Sequence, residues 1–266
     1  MDSRRLEEIT TRLATAGCVA PEDEAAELIG AAEDDAALEG LLRRRCQGEP
    51  LAWLTGGIEF CGMWIAVAPG VYVPRWQSEP LALRAAGLLP AEGFGVDLCT
   101  GAGAIAAVMR SRRPLARVLG TEIDMIAAAC ARANGIDVIV GDLDAGLCES
   151  HRGLIDVVTA VVPYVPDPEL SKLPRDVLAY EPRRTLAGGP QGVQLLKRAL
   201  DAARILLRDG GWLLVELGGD QAQLLEPSLA VGFVDIELLF DDDGDCRAVV
   251  ARRGDIASSR MDSGGL

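Results

Sequence analysis

The chain has 266 residues, about 1.8 times a ~150-residue domain, and its 49% hydrophobic and 25% charged residues imply one large globular domain with at most a small appendage. A net charge of −14 counts against a protein that works by gripping a phosphate backbone, a single histidine (His151) excludes a multi-histidine metal site, and two lysines (Lys172, Lys197) leave little scope for a lysine nucleophile. Seven scattered cysteines with no C-x-x-C pair, no secretory leader after Met1, and no apolar run of the ~18 residues a spanning helix needs together imply a reduced, cytoplasmic protein that neither enters a membrane nor holds a metal.

Segments 3–16, 21–32 and 34–47 alternate apolar and charged positions at helical spacing. Pro21 followed by Glu22 and Asp23 suits a helix first turn, and Gly48-Glu49-Pro50 stops the third helix. Arg43, Arg44 and Arg45 fall in that helix's last turn, where cations suit the negative end of the dipole. Residues 1–55 are therefore read as a small helical cap. The period then changes: Ile58–Phe60 and Met63–Val67 are short and β-rich, and Pro69-Gly70 is a turn before Val71-Tyr72-Val73. Residues 56–79 are read as a β-hairpin linker.

From about residue 80 to 253 apolar strand candidates (94–98, 117–121, 137–140, 155–160, 211–217) alternate with helical ones (103–112, 124–134, 193–208). That order is the signature of a doubly wound α/β sheet. Two last strands, 233–240 and 246–252, joined by Asp241-Asp242-Asp243-Gly244-Asp245, predict an antiparallel final hairpin. Residues 254–266 are read as a flexible tail.

The stretch Gly95-Val96-Asp97-Leu98-Cys99-Thr100-Gly101-Ala102-Gly103-Ala104 carries the most chemistry. A strand ends at Leu98, two glycines permit a tight turn and close backbone approach, and a helix follows. Asp97 at the strand end is expected outside the core, since a buried carboxylate needs a partner. The next strand ends in Glu122, placed to accept both hydroxyls of a ribose, and the third in Gly141-Asp142-Leu143, where Asp142 can accept from an adenine amino group. Capping of the following helices is the bland alternative for these acids. There is no P-loop. A nicotinamide dinucleotide remains a rival, but the third position of G-x-G-x-x-G is Ala106, so a cofactor without a pyrophosphate, S-adenosylmethionine, fits better.

Asp97 through Gly103, followed by Asp156-Val-Val-Thr-Ala-Val161-Val162-Pro163-Tyr164, is similar to the motifs of the HemK-like methyltransferases. So are Arg44 through Gly56, Pro69 through Arg75 with Glu79, Glu181-Pro182, Leu186 through Gly189, Glu216-Leu217-Gly218 with Gln221, and Arg247. The resemblance covers residues 43–252, nearly four-fifths of the chain. It implies the seven-stranded sheet of class I S-adenosylmethionine-dependent methyltransferases, and methylation of a glutamine side-chain nitrogen (N5) in a translation-related protein. By resemblance, Asp97, Cys99, Thr100, Gly101, Ala102, Gly103, Glu122, Asp142, Leu143 and Val161 hold the cofactor. Val161, Val162, Pro163 and Tyr164 position the acceptor, while Arg75, Glu79 and Glu181 bind substrate.

Two departures stand out. The family's acceptor motif reads Asn-Pro-Pro-Tyr, whereas this chain has Val161-Val162-Pro163-Tyr164, so one of two hydrogen bonds that orient an amide nitrogen is missing. The cap also looks about two helices short, which implies a weaker grip on a protein acceptor. Two further functions stay open: a catalytically silent S-adenosylmethionine-binding protein, and a methyltransferase acting on a small-molecule or nucleic-acid amine. Stable nucleic-acid binding is not expected.

Overall fold

The computed structural model describes residues 3–147 and 149–254. The expected tail thus lies outside the described residues from 255 onward.

Four helices open the chain: α1 (Ser3–Ala16), α2 (Pro21–Ala31), α3 (Asp35–Cys46) and the short α4 (Leu51–Thr55). Ile9 and Leu13, then Leu38 and Leu42, recur four residues apart, so each pair lies on one helix face. With Ala25, Leu28 and Leu54 they form a separate small core. Asp34 caps α3, its carboxylate accepting from the Ala37 amide at 2.7 Å. The arginines that follow do more than complement a dipole. Arg45 is buried, and its guanidinium grips Glu24 of α2 at 2.6 Å while donating to the Glu49 carbonyl at 3.0 Å.

A hairpin of β1 (Gly57–Phe60) and β2 (Met63–Ala66) follows, with Gly57 opposite Ala66 and Phe60 opposite Met63. The β-rich tripeptide Val71-Tyr72-Val73 forms no strand, so within the segment 56–79 read as a hairpin linker only β1 and β2 are strands. Its backbone is used otherwise: the Val71 amide donates to Ala68, and the Val71 carbonyl accepts from the Trp53 indole at 3.0 Å. The tripeptide is a strap between the cap and the main sheet.

The main unit runs α5 (Glu79–Leu88), β3 (Phe94–Leu98), α6 (Ala104–Arg112), β4 (Arg117–Glu122), α7 (Met125–Ala133), β5 (Asp137–Val140), β6 (Ile155–Ala160), α8 (Arg175–Tyr180), α9 (Gln194–Leu206), β7 (Leu207–Glu216), α10 (Gln221–Leu229), β8 (Phe233–Phe240) and β9 (Cys246–Arg253). The seven strands order as β5-β4-β3-β6-β7-β9-β8. The first five are parallel, and β9 enters antiparallel between β7 and β8, as the terminal hairpin predicts. Successive strand residues face opposite layers: Val157, Leu214 and Val250 pack with α5, α6 and α7, whereas Val158, Leu213 and Val249 pack with α9 and α10. Burial on both faces explains why these strands read as continuous apolar runs rather than alternating ones. The order reverses between β3 and β6, so the crevice beyond their carboxyl ends is where a ligand has room.

Candidate functional site

At those carboxyl ends lies a cavity of about 880 Å3, roofed by the segment 173–186 and bordered by the strap. A recess of about 50 Å3 adjoins it through Tyr72, Cys99, Gly101 and Val161, which line both.

Glu122 ends β4 and lines the cavity while only 8% exposed. Its Oε2 accepts from the Gly101 amide and its Oε1 from the Asp124 amide, each at 2.9 Å. A carboxylate has about four lone-pair directions, so each oxygen keeps capacity for one more donor, which suits two adjacent hydroxyls. Gly101 has a φ of +57°, and a Cβ there would meet nothing within 4 Å. Gly103 has a φ of +84° for another reason: a Cβ there would press on Ala131 at 3.0 Å, so this glycine lets α6 approach α7. Asp142 also reaches the cavity, paired with Arg198 of α9 at 2.9 Å.

Asp97 differs from expectation. It is buried, and its partners are supplied: Thr100 and Thr159 hydroxyls each donate to it at 2.6 Å. Burial raises its pKa to about 6, while the two hydroxyls and the Ala106 amide oppose the shift. With Thr100 and Ala102 it lines the recess rather than the main cavity. Cys99 has a φ of +56°, and burial pushes its thiol up to about 12, so it remains a neutral wall. Leu143 packs into the core below the site, and Gly103 lies behind the cavity lining.

On the opposite wall Val161, Val162, Pro163 and Tyr164 leave β6 and line the cavity together. The backbone here is tightly backed. Val165 bonds to Leu186 and Gly188 in both directions, at 3.0 and 2.8 Å. A Cβ at Gly188 would lie 2.8 Å from the Pro163 carbonyl, and one at Gly192 would run into the Tyr164 carbonyl and the Gln221 carboxamide. The Tyr164 hydroxyl donates to Glu216 at 2.9 Å.

Arg75 lines the cavity, pairs with buried Glu181 and lies 4.9 Å over the Tyr72 ring. Glu181 itself stands behind Arg75. Burial raises its pKa against the pull of that guanidinium. Glu79 is not brought to the cavity; its carboxylate accepts from the Cys61 amide at 2.9 Å and closes the β1–β2 turn. Sequence reasoning gave no role to Tyr72, Trp76, Arg184, Arg198 and Glu216, which also line the cavity, although Tyr72 and Glu216 stand in the quoted motifs. Glu216 offered the same signal as Glu122, an acid at the carboxyl end of an apolar strand. Arg184 offered none, because it reaches Asp124 from a loop sixty residues away.

No protein-family model matches the chain. It is 34% identical over 229 residues to a release factor glutamine methyltransferase of Geobacter sulfurreducens, covering 84% of this chain and 80% of the relative. A protein of the same description from Mycolicibacterium smegmatis is 35% identical over 226 residues, 82% of this chain and 80% of its own length. Among solved structures, the E. cuniculi Mtq2–Trm112 complex, responsible for methylation of the eRF1 translation termination factor, shares the fold with a TM-score of 0.50 at 22% identity, over 70% of this chain and 99% of that one.

Proposed function

The chain belongs to the release factor glutamine methyltransferases, and from that membership we propose that it transfers a methyl group from S-adenosylmethionine to the side-chain nitrogen of a glutamine in a peptide-chain release factor. Its sheet is that of the class I S-adenosylmethionine-dependent methyltransferases. One observation carries the proposal: a single cavity has the strand-end acid Glu122 on one wall and the Val161–Tyr164 segment on the other. The release factor brings this reaction to the cytoplasm, in keeping with free thiols at the six described cysteines.

The residues present fit the cofactor. Glu122 has free capacity for two ribose hydroxyls, the space over Gly101 admits the amino-acid portion, and Asp142 accepts from the adenine amino group. When bound, S-adenosylmethionine supplies a sulfonium-borne methyl and departs as a neutral thioether. The protein's part is orientation, because an amide nitrogen is a poor nucleophile whose lone pair is tied into the carbonyl. The Val162 carbonyl accepts one N–H of the acceptor carboxamide and turns the nitrogen toward the methyl. Tyr164 provides a flat wall beside it. Val161 offers only an apolar surface, so the second orienting hydrogen bond is absent and turnover is slow. The nitrogen gives up one proton to solvent as its new bond to carbon forms and the sulfur–methyl bond breaks. We assign recognition of the release factor to the cap, residues 1–55.

The test is incubation of the purified chain with a release factor and labelled cofactor, followed by peptide mapping. Label at one glutamine is the expected result. Label in nucleic acid or small molecules from a lysate would redirect the acceptor, and bound cofactor with no transfer anywhere would make the chain a silent binder, the reading that Val161 favours. Restoring the missing contact sharpens the comparison. Val161→Asn is expected to raise the rate on glutamine about ten- to a hundredfold, the equivalent of ~1–3 kcal/mol. A neutral or harmful effect of Val161→Asn argues for an acceptor that needs no amide clamp.

A further inference from the structure

Tyr164 is fixed from both ends. Its carbonyl accepts from Gln221 Nε2 at 2.6 Å, and Gln221, itself buried, accepts from the Gly218 amide at 3.0 Å. Gly188 and Gly192 close on the same backbone. The remaining freedom is rotation of the side chain. That freedom ends at Glu216, whose Oε1 accepts from the Tyr164 hydroxyl at 2.9 Å. The other oxygen, Oε2, accepts from Ser78 at the start of α5.

Glu216 and Ser78 are each 4% exposed. Glu216 makes no ion pair within 4 Å among the described residues; Arg75 and Arg247 act on it from farther off. A carboxylate in such a place costs free energy unless its oxygens are hydrogen-bonded, and a well-packed apolar residue would serve the fold equally well. Its two oxygens instead meet two hydroxyls, one from the acceptor segment and one from the helix across the sheet. We propose that Glu216 is a positioning residue of the acceptor site: through the Tyr164 hydroxyl it holds the aromatic ring as the wall against which the acceptor carboxamide lies, and through Ser78 it anchors that wall to α5. This inference rests on the acceptor site described under Proposed function.

The experiment compares Glu216→Ala, Glu216→Gln, Tyr164→Phe and the double variant Glu216→Ala/Tyr164→Phe. Methyl transfer kinetics and cofactor affinity by calorimetry are measured for each. Glu216→Ala and Tyr164→Phe are each expected to lower kcat about tenfold, with cofactor Kd within about twofold of wild type. The double variant loses no more than Glu216→Ala alone, because that change already removes the contact that Tyr164→Phe removes. Glu216→Gln recovers most of the rate, since a carboxamide can accept from one hydroxyl and donate to the other. Multiplying losses, a parallel fall in cofactor affinity, or a glutamine variant no better than alanine would each overturn the proposal. If Glu216→Ala does not fold, Tyr164→Phe decides: a tenfold loss supports the proposal and full activity overturns it. Wild-type transfer to a release factor is measured first. Its absence rejects the acceptor named above and not the positioning role, and the same variants are then scored on the acceptor that lysate labelling identifies.

Discussion

Asp97 is buried near the carboxyl end of β3, and two threonine hydroxyls are its main compensation. Burial raises its pKa from 3.8 to about 6. The folded state therefore holds a proton that the unfolded chain has released between those two values, and this group's contribution to stability falls as pH rises through the window. Above pH 6 the folded protein carries the full cost of a buried anion. Asp97→Asn is expected to remove that dependence. Measured by urea denaturation without cofactor, the stability of Asp97→Asn relative to wild type should grow by about 1.4 kcal/mol between pH 5.0 and pH 7.5, and parallel curves would count against the assignment. The same residue marks the limit of sequence reading at this scale. An acid at a strand end is visible in the sequence, but whether it meets water, an amide or a hydroxyl depends on residues distant in the chain. Glu122 and Asp97 share the pattern; only Glu122 faces the cavity. Glu79 opens α5 four residues after Arg75, yet its partner is the Cys61 amide of a turn eighteen residues earlier. No local pattern shows that.

The helices and strands of the main sheet were legible because apolar runs and their breaks are local. Residues 94–98, 137–140, 155–160 and 233–240 match the observed strands end to end. Others escaped for physical reasons. β7 begins at Leu207, just before an Arg-Asp-Gly-Gly stretch that signals a turn, because Leu207 pairs with Ile155 across a bulge before the regular ladder resumes at Trp212. α10 contains Pro227, which hides its periodicity, and α5 starts directly on Glu79-Pro80. In the cap, three helices stand where the pattern places them, but the buried Arg45–Glu24 pair that joins α2 to α3 looked like a surface charge. Removing one member leaves the other buried and unpaired, which typically costs about 3–5 kcal/mol. Arg45→Ala is expected to destabilise the cap by that order in chemical denaturation, with faster amide exchange in α2 and α3 and little change in α9. Adding Glu24→Gln should recover part of the loss; no recovery would mean that Arg45 matters through its other contacts, the Glu49 carbonyl at 3.0 Å and Asp176 at 3.8 Å.

Across the whole molecule the −14 charge is not spread evenly over the site. Arginines border the cavity, but Arg184 is engaged by Asp124, Arg198 by Asp142 and Arg247 by Asp241 and Asp245. These pairs leave little free positive charge for a phosphate backbone. Transfer RNA or a single-stranded oligonucleotide is accordingly expected neither to be retained at low salt nor to compete with a release factor, and salt-sensitive retention would contradict this. Two of these pairs, Arg184–Asp124 and Arg198–Asp142, join residues about sixty positions apart at the cavity lining, which is why the cavity could be anticipated in position but not in outline. One feature of that crevice reaches beyond a single reaction. Among the described residues, the side-chain hydrogen bonds and glycine close approaches that secure the segment after β6 attach to Pro163, Tyr164 or Val165 rather than to Val161. The Val161 side chain is held by packing alone, against the core shared with α5, α6 and α7, so its replacement disturbs contacts rather than a hydrogen-bond network. On the acceptor role proposed for it, exchanging this one residue changes which nitrogen is oriented and leaves the hydrogen-bonded scaffold in place.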